Sequence, residues 1–384
     1  MDFTLNEEQE ALRDAVGGML SKNYGAIEAR RRVTASDPGF DEKLWRQLAE
    51  LGVLGLPFTE EDGGLGAGPV EVAVVAEQFG AVLAPEPFVE VVVLAGGLVA
   101  DAGTAEQREE LIGGIAAGEA VVAFAHHEPG GRWSPSARGV VATSRDGAWT
   151  LSGTKEPVVQ GARADVLIVS AATGQGTGLF VVAGDARGLT RTGYRTHDGG
   201  RAARLDLVDV PAVPLGDPGT DRTATIARAQ DRARTAYAHE VLGILQFQLS
   251  TTVDYLRTRK QFGVTLNTFQ ALKHRAADLY VQLELARSTT WWASILLDEA
   301  QRGDEGLDVA AAAAHASLRT SKAARLIGAE AIQLHGGIGV TAEYSVGHYS
   351  SRLIAIERLA GDGSHHLAHV AAGLRGHGTL DPTE

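Results

Sequence analysis

The sequence predicts an α+β protein of several domains, helical at both ends and built of strands in the middle, and three observations carry that prediction. Between Leu5 and about Gly118 apolar residues recur at helical spacing. Near Glu119 the period shortens to that of strands, with Gly, Pro, Asp and Ser clusters between short β-prone runs. From about Arg222 three long helical patterns follow, of a length that suits a helical bundle. The expected division is residues 1–118, 119–221 and 222–375, with 376–384 a disordered tail.

In the first segment Leu12, Val16, Met19 and Leu20 form one apolar stripe and Leu44, Leu48, Leu51 and Leu54 another. Gly63-Gly64-Leu65-Gly66 interrupts the pattern, Val70 to Phe79 resumes it, and Thr104-Ala105-Glu106-Gln107 spells a capping box before Leu111 and Ile112. The expected strands are Val121 to Ala125, Val140 to Ala142, Trp149 to Leu151, Val166 to Ser170, Leu179 to Ala183 and Arg204 to Val208. Val210 to Gly219 reads as a connection, because Pro211, Pro214 and Pro218 each remove a backbone donor. Ala224 to Arg259, Phe269 to Arg302 and Leu307 to His335 are the long helices, the last two joined by Gly303-Asp304-Glu305-Gly306. A final helical pattern from Tyr349 to His369 breaks at Gly361-Asp362-Gly363.

Composition excludes several classes of function. A net charge of −13 lacks the basic footprint that nucleic acid or an anionic membrane requires. The Arg30-Arg31-Arg32 cluster reads as a solvated helix face. With no cysteine there is no disulfide framework, thiolate site or cysteine nucleophile. Apolar runs are too short for a membrane span and Met1 to Leu5 does not read as a signal peptide, so the cytoplasm is the expected location. His365-His366-x-x-His369 and His126-His127 lack a carboxylate set beside them, so no metal is expected.

Two words, the second of them glycine-rich, organise the rest. Arg259-Lys260-Gln261-Phe262-Gly263 and, later, Gln333-Leu334-His335-Gly336-Gly337-Ile338-Gly339 resemble, in order and spacing, the C-terminal half of the acyl-CoA dehydrogenase family. Phe3-x-Leu5-x-x-Glu8-Gln9, Leu48-Ala49-Glu50-Leu51-Gly52 and Glu60-Glu61-Asp62-Gly63-Gly64 resemble its N-terminal helical domain. The resemblance implies a fold of N-terminal helical domain, middle β-barrel and C-terminal four-helix bundle. It also implies an activity, oxidation of an acyl-CoA thioester to its 2,3-enoyl form with FAD as hydride acceptor and an electron-transfer flavoprotein as the next carrier. By the same resemblance, Arg259, Phe262, Gln270, Gln333, Gly336 and Gly337 grip the adenine half of a FAD seated in a neighbouring subunit, and Asp231 and Arg234 lie near the substrate.

Against that pattern, the residues that serve a subunit's own flavin are missing. Where the family carries Gly-x-Lys-x-Trp-Ile-Thr-Asn, this chain reads Gly153-Thr154-Lys155-Glu156-Pro157-Val158-Val159-Gln160, so Pro157 replaces the tryptophan behind the flavin and Val159 the threonine near its N5. Proline offers no π-face and valine no donor. His127-Glu128-Pro129-Gly130-Gly131-Arg132-Trp133 likewise departs from Thr-Glu-Pro-x-x-Gly-Ser. The catalytic glutamate position falls on Ala360 and its alternative on Ala233, neither of which can take a proton. Asp362 is the nearest substitute base, and also reads as the cap of the following helix; Glu357, Asp231 and Glu240 are the other carboxylates in range. The selective loss fits the non-catalytic subunit of a heteromeric enzyme of the actinobacterial α2β2 kind, whose partner would be a second dehydrogenase-like chain. Two alternatives stay open: a self-sufficient homotetramer using Asp362, and a non-redox CoA-binding or structural protein on the same fold.

Overall fold

The computed structural model describes residues 4–373, which leaves Phe3 and the tail after Gly373 outside the description. The N-terminal part packs α1 (Glu7–Tyr24), α2 (Ile27–Ala35), α3 (Glu42–Glu50), α4 (Pro69–Val82), a π-helix (Phe88–Gly96), α5 (Gly97–Ala102) and α6 (Ala105–Ala116). Their ends are written in local chemistry. Asn6 and Gln9 form a capping box on α1, Thr104 and Gln107 form the expected one on α6, and Asp41 accepts from the first turn of α3. The buried stripes meet around Leu20, Trp45, Phe88, Leu98 and Ile112, which bury the largest apolar surface of this part.

Seven strands follow: β1 (Val122–Ala125), β2 (Val141–Arg145), β3 (Ala148–Val159), β4 (Val166–Thr173), β5 (Gly176–Ala183), β6 (Leu189–Arg195) and β7 (Arg201–Pro214). The pairings β4–β2, β2–β3, β3–β7, β7–β5 and β5–β4 close a ring, with β1 parallel to β4 and β6 lying along β7 outside it. The interior is filled by Leu151, Leu167, Val169, Phe180, Leu205 and Val210. This is the barrel that the family resemblance implied.

Two expectations of this segment are corrected. Pro211 and Pro214 lie in β7, paired with Thr150 and Phe180, and are not part of a connection. Pairing with β6 ends at Leu207 and pairing with β5 begins at Val213, so Pro211 lies where one side of β7 has no strand partner and its missing backbone donor costs no ladder bond. β6, which the sequence reading lacked, is polar and exposed over most of its length and therefore shows no buried alternation.

The C-terminal part is a bundle of α7 (Thr223–Thr258), α8 (Gln270–Gln301), α9 (Val309–His335) and α10 (Ser345–Ala360), with α11 (Gly363–Gly373) against α9. The bundle joins the N-terminal helices where α4 crosses α7. A Cβ on Gly80 would stand 1.9 Å from the Glu240 carbonyl oxygen, and one on Gly243 would stand 2.1 Å from that of Glu77, so the two backbones touch because both positions lack a side chain.

A closed cavity and an exposed nucleotide-type face

The strand that should carry a flavin bed ends at Pro157 and Val159, and opposite it stands the C-terminal end of α10 at Ala360. Between them remains a cavity of about 60 Å³, lined also by Glu90, His127, Trp133, Arg234 and Tyr237. Small-molecule sites run to roughly 300–1,000 Å³. That space alone is too small for a flavin ring; a second cavity of about 260 Å³ adjoins it on the other side of Pro157, Val159 and Leu359, against Arg352 and Arg358.

Trp133 accounts for much of the closure. Its indole Nε1 donates to the Arg358 carbonyl at 3.0 Å, and its ring lies 5.3 Å from that of His365, so the loop after β1 is fastened onto the α10–α11 corner. The backbone at Trp133 has φ +40°, a left-handed value unusual for a bulky residue. The contacts made by the indole hold it there.

The polar groups behind the loop serve the fold. Lys155, fully buried, donates to Glu128 at 2.7 Å, to Ser170 at 3.0 Å and to the His126 carbonyl at 3.0 Å. Burial pulls its ammonium down to about 8 against the pull of Glu128. Glu128 in turn accepts from the amides of Gly139 and Val140, which ties the ends of the loop together. His126 contacts Ser170 at 2.8 Å and the Ser134 carbonyl at 2.6 Å, and burial holds it neutral, its pKa near 3.

None of the carboxylates named from sequence is poised over this cavity. Asp362 accepts from the His365 amide at 2.9 Å, so it caps α11, and that bond holds its carboxyl below the usual range. Glu357 is taken by Ser321 at 2.6 Å and Arg325 at 2.5 Å. Glu240 forms a two-oxygen pair with Arg352, at 2.6 and 3.1 Å, and Arg352 also reaches Asp198 at 3.0 Å. Asp231 binds Arg234 at 2.7 Å, while Arg234 Nε donates to the Ala360 carbonyl at 3.0 Å. The Asp231–Arg234 pair thus braces the C-terminus of α10, where a cation is favoured by the helix dipole.

One carboxylate does line the cavity and was not singled out from sequence. Glu90 sits on the π-helix, 3.6 Å from Arg352, and burial raises its pKa. A single acid inside the apolar run Phe88-Val89-Glu90-Val91-Val92-Val93-Leu94 was the available signal.

The Arg259 and Gln333 words build a different surface. Lys260–Gln261 and Val264–Thr265 form a two-stranded hairpin with Phe262 and Gly263 at its tip, both at positive φ, and Phe262 is 90% exposed. Arg259, Gln270 and Gln333 are exposed, and their side chains form no hydrogen bond or ion pair among the described residues. Gly336 and Gly337 have nothing within 4 Å of an added Cβ. Tyr255, one helical turn before Arg259, lies 4.5 Å from the His335 ring, which lies 5.0 Å from Tyr344. That three-ring stack sets the hairpin root beside the glycine turn. Donors, one cation, an exposed aromatic and a backbone open to close approach fit the adenine half of a dinucleotide.

His366 lies in the closed corner, its Nε2 3.1 Å from the Gly361 carbonyl oxygen. Among the described residues no group of three or more His, Asp or Glu is arranged to hold a metal ion, and no helix is long and apolar enough to cross a membrane.

Residues 6–119 match the N-terminal domain of acyl-CoA dehydrogenase and residues 224–374 its C-terminal domain. The chain is a member of the acyl-CoA dehydrogenase family. It is 30% identical over 362 residues to acyl-CoA dehydrogenase FadE27 of Mycobacterium tuberculosis, covering 91% of this chain and 92% of the relative. Among solved structures, a variant of the Tcur3481–Tcur3483 steroid ACAD matches with a TM-score of 0.86 at 33% identity, covering 97% of this chain and 99% of the other. The ChsE4–ChsE5 complex of Mycobacterium tuberculosis matches with a TM-score of 0.87 at 28% identity, covering 99% and 100%.

Proposed function

We propose that this chain is the non-catalytic subunit of a heteromeric, FAD-dependent acyl-CoA dehydrogenase in the cytoplasm. Its partner would be a second dehydrogenase-like chain carrying the base and the flavin bed. The supporting observation is the pairing of a 60 Å³ cavity closed by Trp133 with an exposed, unpartnered face at Arg259, Phe262, Gln270, Gln333, Gly336 and Gly337. Asp231 and Arg234 serve as positioning residues for the α10 corner, and Asp362 as a cap. FAD would be held across the interface: arginine and amide donors at its pyrophosphate, Phe262 against its adenine. When bound in the partner, FAD accepts the hydride of the dehydrogenation; this chain contributes binding and orientation. Two of the similar structures are described as a steroid ACAD and as a two-protein complex, which favours a bulky CoA thioester as substrate and a heterotetramer as the assembly. An electron-transfer flavoprotein would take the electrons onward.

The test is co-purification with a dehydrogenase-like partner that has the tryptophan, threonine and glutamate. Alone, the chain is expected to be colourless and inactive with acyl-CoA; together the pair is expected to be yellow and to reduce a dye. A yellow, active chain by itself would replace this reading with a self-sufficient enzyme, and a colourless, inactive pair would leave a CoA-binding or structural protein.

A further inference from the structure

On the other side of Ala360 from the closed cavity, α7, α9, α10 and α11 surround a second and larger space of about 360 Å³. That volume lies within the usual range for small-molecule sites. It exists because α9 presents Ser317, Ala324 and Gly328 to α10 where bulkier residues would fill the gap; a Cβ on Gly328 would already stand 3.3 Å from Leu353. Its floor is apolar and buried at Val241, Leu353 and Ile356. Its mouth is marked by the exposed Ala329 and Ile354.

Two polar groups on this cavity keep unused hydrogen-bonding capacity, and the first of them is a fully buried atom. The Ser317 hydroxyl has no hydrogen-bond partner. His366, 2% exposed, must donate from Nε2 to the Gly361 carbonyl, since a carbonyl can only accept; Nδ1 then keeps its lone pair, and it forms no bond among the described residues. The charged groups at the rim are already satisfied, Arg325 with Glu357 and Glu357 with Ser321, so nothing there asks for an ionic head.

We infer that this cavity binds an apolar small molecule of steroid or fatty-acyl dimensions bearing one hydrogen-bonding oxygen. The apolar walls would take the body of the ligand, and the oxygen would meet the unmatched serine or histidine. A row of waters would find too few partners on such walls. An aliphatic side chain from a neighbouring subunit would fill the space yet leave the Ser317 hydroxyl buried and unpaired, which is unfavourable. The inference is independent of the subunit role proposed above, because it concerns neither the hairpin face nor the flavin side of Ala360.

The full-length chain, alone and then with its partner subunit, should be titrated with dehydroergosterol and with the uncharged methyl ester of cis-parinaric acid, following their fluorescence. One or the other is expected to saturate at one per chain in both preparations; which one does so tells sterol from fatty acyl chain. Ala324→Phe is expected to weaken that binding at least tenfold and Ser317→Ala a few-fold. Should Ala324→Phe fail to fold, Ala329→Trp at the exposed mouth replaces it. Absence of saturation by both probes, equal binding by a folded cavity-filling variant, or release of the probe on assembly with the partner would each overturn the inference, the last by showing the space to be a subunit interface.

Discussion

The corner at Ala360 and the face at Gly336 belong to the same long-helix bundle, yet they treat their polar groups in opposite ways. At the corner nearly every donor and acceptor is matched inside the chain: Trp133 to Arg358, Arg234 to Asp231 and Ala360, Glu357 to Ser321 and Arg325. At the face the side chains of Arg259, Gln270 and Gln333 form no hydrogen bond or ion pair among the described residues, and Phe262 is exposed. A chain that worked alone would gain from the reverse arrangement, with reactive groups free over a cavity and the surface self-satisfied. On the proposed reading the ligand comes from a partner chain, and four measurements can break or sharpen the contrast.

The largest effect is expected behind the corner, at Arg352. Its guanidinium joins Glu240 and Asp198, with Glu90 3.6 Å away, and so fastens the bundle to the barrel and to the N-terminal helices. Arg352→Ala leaves Glu240 and Glu90 buried without the cation that faces them and Asp198 with Arg30 alone, a loss on the order of 3–5 kcal/mol. Denaturant unfolding should show it; a change below about 1 kcal/mol would mean that the corner is not held together by this cluster.

Next comes acid sensitivity. Burial lowers His366 to about 4 and His126 to about 3, while an unfolded histidine titrates near 6.5. Both are neutral in the fold, so the unfolded chain binds more protons over this window, and stability falls as pH drops from about 6.5 towards 4. For His366 the full effect is roughly 3 kcal/mol. His366→Gln, which keeps a donor for the Gly361 carbonyl, should flatten the fall in melting temperature between pH 6.5 and 4. An unchanged slope would place the sensitivity elsewhere.

The exposed face gives the third test. Removing a charge-assisted contact costs about 1.5–3 kcal/mol, so Arg259→Ala should cut the FAD affinity of the assembled pair roughly 10- to 100-fold. Its own unfolding should shift by no more than about 0.5 kcal/mol, as for an exposed side chain with no partner. Equal FAD content in wild-type and variant complexes would remove the nucleotide role of this face.

Much of this contrast was legible in the sequence, and for a physical reason. Glycine turns, a proline in place of a tryptophan and an alanine in place of a glutamate are statements about what a position cannot do, and such statements survive folding. Amphipathic stripes were readable in part: Leu44, Leu48 and Leu54 are buried as expected, whereas Leu51 of the same stripe caps the end of α3 and is exposed. What stayed hidden depended on partners far away in the chain. β6 is polar on nearly all sides, and only its pairing with β7 makes it a strand. Pro211 is tolerated because β6 stops short of it. Trp133 read as a departure from a motif; that it reaches Arg358, 225 residues later, is a fact of tertiary structure. Glu90 became visible as a cavity-lining acid only once Ala360 and Pro157 were brought opposite it.

The smallest expected effect probes that indole. Trp133→Ala removes one hydrogen bond and the packing on His365, and it relaxes a left-handed backbone only in part, so a loss of about 1–2 kcal/mol is expected. The cavity would widen, yet Pro157 and Val159 would still supply neither π-face nor donor, and Ala360 still no base. The variant should therefore remain colourless when purified alone, and adding Ala360→Glu to it should not make it oxidise acyl-CoA. Flavin capture by Trp133→Ala alone would show that the indole, and not the missing bed, is what keeps the ring out of this subunit.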